Sequence, residues 1–181
     1  KKLAVGSKYV LIDIPFGDGA KVSKFQGEKL GRLFILLGEK LGLIIKVVLT
    51  EGKEPIGNGI GPILEMKDVL KVLKQDNPPK DLENKSLFLA GNILEMAGKS
   101  KKYQGIIKAR EILYSGTAYK KFCEIISAQG GDPKVWLPEA RYNNTIISKH
   151  TGIIEKISNI GINYLARITG CPLDKTAGIY L

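Results

Sequence analysis

The stretch EPIGNGIGP, Glu54 to Pro62, sets glycine at positions 57, 59 and 61 between an apolar run, LIIKVVLT, and a helical pattern, ILEMKDVLKVLK. Strand, glycine loop, helix is the layout with which an open α/β sheet presents a ligand at the carboxyl ends of its strands. A second loop of the same kind, PFGDGAKV, follows the apolar run KYVLIDIP. The fold class is therefore α/β, and the question is what the loops hold.

The elements around these loops follow from periodicity. Lys8 to Pro15 reads as a short buried strand ended by proline. Apolar residues recur at helical spacing from Phe25 through Leu30, Leu33, Phe34, Leu37 and Leu41, and Gly42 stands where a C-cap glycine would. LIIKVVL returns to a strand, so the unit argues a parallel crossover. Helices are predicted over Ile63 to Leu73, opened by Pro62, and over Leu82 to Met96, Gln104 to Tyr114 and Thr117 to Ala128, the last closed by QGGDP. Beyond it NTIISK, TGIIEKI and GIYL read as short strands, with IGINYLARIT as a helix between the last two. A boundary is expected near Gly130 to Pro138, and the final strand, AGIYL, has no evident partner.

Composition excludes several chemistries. No apolar run approaches the roughly 18 residues of a membrane span. Cys123 and Cys171 stand far apart and outside any CxxC spacing, which argues against a zinc site or disulfide scaffold and fits a reducing cytoplasm. His150 is the single histidine, with no cluster of partners for catalysis or zinc. The formal charge of +10 invites nucleic acid, but the lysines are scattered, KSKKYQ being the one local cluster, and no basic strip is interleaved with aromatics. Nucleic acid and membrane are not expected partners.

Neither glycine loop is a dinucleotide or P-loop signature. The second reads Gly57, Gly59, Gly61 and then Pro62, with no acidic residue at a strand end about 20 residues on, and no Gly-Lys-Ser/Thr closes either loop. Such a loop can instead expose carbonyl oxygens, and Asp68 on the first turns of the next helix could turn a carboxylate toward it. Carbonyls with one carboxylate are hard oxygen ligands, suited to an alkali or alkaline-earth cation. A loop that is glycine-rich only for tight strand-to-helix packing stays open as the alternative.

Four landmarks in order, KKLAVGSKYVLIDIPFGDGAKV, EPIGNGIGPILEMKDVL, AQGGDP and LDKTAGIYL, resemble the pyrimidine nucleoside and thymidine phosphorylases and their archaeal AMP phosphorylase relatives. The resemblance spans nearly the whole chain. It implies phosphorolysis of an N-glycosidic bond, with inorganic phosphate as co-substrate, no organic cofactor, and a nucleotide or nucleoside bound across a cleft that closes. It implies a mixed-sheet α/β nucleoside phosphorylase domain followed by a smaller C-terminal α+β module, here residues 1–134 and 135–181, with Lys1–Gly6 the end of a helix from the helical domain. A cytoplasmic homo-oligomer is implied for the full-length enzyme.

Residue by residue, the resemblance implies little. The first of two lysines in a serine-x-x-x-lysine-lysine helix contacts the base or nucleotide in the family, and it matches Lys1. A monovalent cation near the phosphate loop matches the carbonyls of Ile56 and Gly59 and the side chain of Asp68, where the family pattern carries glutamate. The lysine-serine phosphate loop, the other base-handling residues and the dimer helices all match nothing in this sequence. An internal-to-C-terminal piece of a longer enzyme, inactive alone, is expected, and its +10 is then not the charge of the whole. Pro15 and Lys21 give IDIPFGDGAKV the texture of the AMP phosphorylase branch, which favours AMP, giving adenine and ribose 1,5-bisphosphate. The alternatives are a thymidine or pyrimidine nucleoside enzyme and a catalytically dead binding module of the same fold. A phosphoribosyltransferase would require an acidic pair for magnesium, and none is visible.

Overall fold

The computed structural model describes residues 1–181. Strand β1 (Tyr9–Phe16) runs parallel to β2 (Ile44–Glu51), in register from Tyr9 opposite Ile44 to Phe16 opposite Glu51. Helix α1 (Lys24–Lys40) makes the crossover between them. A capping box starts it: Gln26 N–H donates to Ser23 Oγ at 3.3 Å, and Ser23 N–H donates to Gln26 Oε1 at 2.9 Å. Gly42, at φ +68°, ends it in the left-handed conformation, and Leu43 N–H returns to the Gly38 carbonyl at 2.9 Å.

The face that α1 buries is not the one its apolar spacing suggests. Gly27, Gly31 and Gly38 form its buried stripe. A Cβ built on Gly31 would stand 3.1 Å from Val47 Cγ1, and one on Gly38 would stand 2.6 Å from Ile45. Alternate β2 residues thus reach the helix backbone, as period-two geometry allows. Phe25 and Leu33, counted by periodicity on the helix's apolar face, remain 76% and 55% exposed.

The other face of the strand pair meets α3 (Lys80–Met96). Lys85 of α3 pairs with Asp13 at 2.9 Å and donates to Thr50 Oγ1 at 3.1 Å, and the Thr50 hydroxyl donates to Asp13 at 2.7 Å. Helices α2 (Pro62–Lys74), α4 (Gly105–Tyr114) and α5 (Thr117–Ala128) complete a helical layer around Val72, Leu87, Ala109 and Leu113. Glu83, 2% exposed, sits beside this core and accepts from Tyr114 Oη at 2.9 Å and Lys80 Nζ at 3.1 Å, so its buried charge is paired.

Three expectations are corrected. There is no single mixed sheet: β1 and β2 form a parallel pair, while β3 (Gly59–Ile60) and β4 (Ile179–Tyr180) form a separate antiparallel one. AGIYL has a partner after all, because the glycine loop itself supplies β3. NTIISK and TGIIEKI form no strands; Ile146 and Ile153 are 94% and 97% exposed. β-branched residues favour a strand only where another strand takes up their backbone groups, and nothing in the chain pairs with these. Region 135–181 instead contributes α6 (Asn159–Ile168) and β4. No helix is long and apolar enough to cross a membrane.

At the start of the chain, Ser7 N–H bonds the Lys2 carbonyl at 3.1 Å and Gly6 N–H bonds the Leu3 carbonyl at 3.0 Å, with Gly6 at φ +71°. That is the hydrogen-bonding pattern of a helix C-terminus.

Candidate functional site

The amides of the glycine loop are already engaged. Gly57 N–H donates to Asp81 Oδ2 at 2.9 Å, and Asn58 N–H and Gly59 N–H both donate to Asp68 Oδ2 at 2.7 Å. Gly61 N–H donates to Glu65 Oε1 at 3.1 Å. The register of β3 with β4, together with the 2.9 Å bond from Leu181 N–H to the Asn58 carbonyl, makes Ile60 and Ile179 a hydrogen-bonded pair. Even the start of α2 is engaged, its Ile63 N–H meeting the Lys175 carbonyl at 3.2 Å. An anion site is built from free N–H groups. Here carboxylates and carbonyls already hold them, so the loop does not cradle a phosphate; oxygen is what it can offer.

Local sequence explains the arrangement. Gly57 takes φ +77° and Gly61 φ +129°, conformations side chains rarely adopt, and a Cβ on Gly57 would press Asp68 Oδ2 at 3.0 Å. Pro62 opens α2 at a position whose N–H would have no intrahelical acceptor, and Asp68 follows nearly two turns on, beneath the loop. Asp68 is 1% exposed.

Its two oxygens differ. Oδ2 accepts both loop amides, while Oδ1 is buried with no hydrogen-bond partner. A buried carboxylate oxygen without a donor costs about 1–3 kcal/mol or more, so its presence asks for a partner.

Ile56, Gly59 and Asp68 line one cleft of about 290 Å³, together with Glu65, Asn159 and Asn163. The two asparagines come from α6, which is strapped across the loops leaving β1 and β2. Lys156 pairs with Asp18 at 3.2 Å, Ile157 N–H donates to Glu54 Oε1 at 3.2 Å, and Asn159 Nδ2 donates to the Gly52 carbonyl at 3.0 Å. No group of three or more His, Cys, Asp or Glu side chains is poised to hold a metal ion. The cleft offers two carboxylates, Asp68 and the Glu65 that already accepts from Gly61 N–H, with carbonyl and amide oxygens; these are hard oxygen donors, suited to an alkali or alkaline-earth cation and not to zinc.

Lys1 is exposed in the first turn and does not line the cleft. Asp81, Glu65 and the α6 asparagines escaped the sequence reading. Asp81 and Glu65 show only as acidic residues in the first turns of α3 and α2, a position that elsewhere serves the helix dipole. Lys71 of α2 donates to Tyr180 Oη of β4 at 2.8 Å; that bond, against some desolvation, holds its ammonium above the usual lysine pKa.

Comparison with known proteins matches the chain along its whole length. It is 46% identical over 185 residues to the AMP phosphorylase of Pyrococcus furiosus, covering 100% of this chain and 37% of that protein. The AMP phosphorylase of Methanospirillum hungatei is 43% identical over 187 residues, with 100% and 36% covered. The putative thymidine phosphorylase of Nitrobacter hamburgensis is 43% identical over 183 residues, again with 100% and 36% covered. The chain thus spans little more than a third of the length of the curated relatives it matches. No protein-family model matches it.

Proposed function

We propose that this chain, a region of the AMP phosphorylase and thymidine phosphorylase family, serves a phosphorolytic enzyme that cleaves an N-glycosidic bond with inorganic phosphate, AMP being the favoured substrate. The observation that carries the reading is the match of the whole of this chain to little more than a third of proteins of both names, at similar identity. The preference for AMP rests on Pro15 and Lys21 in IDIPFGDGAKV, and a thymidine or pyrimidine nucleoside substrate is the second reading.

Within that enzyme the glycine loop is a brace. A monovalent cation bound by the carbonyls of Ile56 and Gly59 and by Asp68 Oδ1 would supply the partner that oxygen lacks. The cation would fix the loop against which a phosphate-binding segment packs. Charge development in such a displacement is met by preorganised groups, and Lys1 is the one we assign here, opposite a base departing with negative charge. Turnover also requires phosphate contacts and further base contacts for which we assign no residue of this chain, so residues 1–181 alone are expected to be inactive. Residues 1–134 would form the end of the α/β domain and 135–181 the start of a C-terminal module, in a cytoplasmic homo-oligomer.

The test is phosphate-dependent release of base by the intact polypeptide that carries this chain, with AMP against thymidine and uridine. Release of adenine with ribose 1,5-bisphosphate is the expected result. Turnover of a nucleoside but not AMP moves the reading to the second substrate class, and no turnover of any at saturating phosphate and potassium would sink it.

A further inference from the structure

A trans peptide is planar, so its N–H and C=O point in opposite directions. Whatever holds the N–H of one residue therefore aims the carbonyl of the residue before it. In the glycine loop this rule can be checked directly. Asp68 holds Gly59 N–H, and the Asn58 carbonyl of the same peptide plane points away from Asp68 to meet Leu181 N–H at 2.9 Å.

Applied to the two carbonyls of the cation reading, the rule names two different holders. Ile60 N–H belongs to the ladder with β4, which turns the Gly59 carbonyl away from β4. Gly57 N–H is held by Asp81 Oδ2 at 2.9 Å, and the Ile56 carbonyl shares that peptide plane. Asp81 does not line the cleft, and it sits on α3 rather than on the helix of Asp68. Its other oxygen caps Leu82 N–H at 2.8 Å, which fixes the carboxylate on the start of α3.

We infer that Asp81 is a positioning residue: by holding Gly57 N–H it aims the Ile56 carbonyl into the cleft and so sets the affinity of the cation site. The inference rests on the cation reading above. It also makes α3, which carries Lys85 against β1, part of the brace.

The experiment follows cation binding by thermal stability as well as activity. The intact polypeptide is titrated with potassium chloride against choline chloride at constant ionic strength, for the wild type, Asp81→Ala, Asp81→Asn and Asp68→Ala. Asp81→Ala is expected to raise the potassium midpoint of both the Tm rise and the phosphorolysis rate about tenfold, the scale on which residues behind metal ligands act. Asp81→Asn, which keeps an acceptor oxygen, falls between wild type and alanine, and it carries the test if the alanine variant does not fold. A lower Tm at every potassium concentration with unchanged midpoints in both variants makes Asp81 structural only and overturns the inference while leaving the cation reading intact. A wild type whose Tm and rate ignore potassium overturns both.

Discussion

Asp68 meets Gly59 N–H at 2.7 Å with one carboxylate oxygen and leaves the other buried without a partner. The side chain therefore does two separable things: it pins the loop and it offers a vacant acceptor. Asp68→Ala removes the acceptor of two loop amides, and is expected to cost about 3 kcal/mol, since bonds to charged groups contribute roughly 1.5–3 kcal/mol each. Asp68→Asn can keep those two bonds through its amide oxygen while removing the charge. It should match the wild type in urea unfolding without potassium and gain nothing when potassium is added. An Asp68→Asn variant stabilised by potassium as much as the wild type would remove Oδ1 from the cation site.

The Lys85–Asp13 pair, about four-fifths shielded from solvent, joins α3 to β1. Thr50 bonds both partners, so the pair is one member of a network. A double-mutant cycle of Asp13→Ala and Lys85→Ala should show a coupling of about 1–2 kcal/mol, larger than an exposed pair gives. Urea midpoints of the four proteins measure it, and additivity would reduce the network to chance proximity.

Lys71 and Tyr180 tie α2 to β4. Because the bond to Tyr180 raises the Lys71 pKa, the folded state holds that proton more tightly than the unfolded chain. The stabilisation is fully present below the usual lysine pKa and is lost as pH rises through the raised one. Lys71 is partly exposed, so screening keeps the effect under about 1 kcal/mol. Tyr180→Phe should be slightly less stable than wild type at neutral pH, and the gap should begin to close only as pH rises past the usual lysine value of 10.5. A gap that widens there would reverse the sign of the linkage.

Helices α1, α2 and α5 were legible because each announces an end: Gly42 after α1, Pro62 at the start of α2, and the QGGDP stop after Ala128; the Ser23–Gln26 box that starts α1 was not read. The buried stripe of α1 was not, because hydropathy counts leucines, and here the absence of side chains at Gly27, Gly31 and Gly38 brings the helix onto β2. NTIISK and TGIIEKI had strand chemistry without a strand to pair with, whereas Gly59 pairs despite weak propensity, because β4 lies beside it. The loop and the helix after it suggested carbonyls with Asp68, and the family resemblance grouped Ile56 and Gly59 with it. Asp81 could not be grouped with them, since its bond to Gly57 exists only once α3 has packed beside the loop.

Close approach also fixes the crossing of α3 and α4, where two glycine backbones meet. A Cβ on Gly91 would stand 2.6 Å from Ile106 N, and one on Gly105 would collide with the Gly91 carbonyl. Both obstacles are backbone, which cannot rotate aside as a side chain would. Gly105 N–H moreover donates to Glu95 Oε1 at 2.9 Å, a bond that separation of the helices would break. Alanine normally stabilises a helix interior by about 1 kcal/mol over glycine. At Gly91 that gain opposes an overpacking cost of about 1–3 kcal/mol plus the strained Glu95 bond, so Gly91→Ala should be destabilising. Gly161 in α6 gives the control, because its added Cβ would meet only Ser158 at an ordinary 3.5 Å. Gly161→Ala should be neutral or stabilising by up to about 1 kcal/mol. Equal Tm changes of one sign in the two variants would mean that helix propensity, and not the glycine contact, governs the α3–α4 crossing.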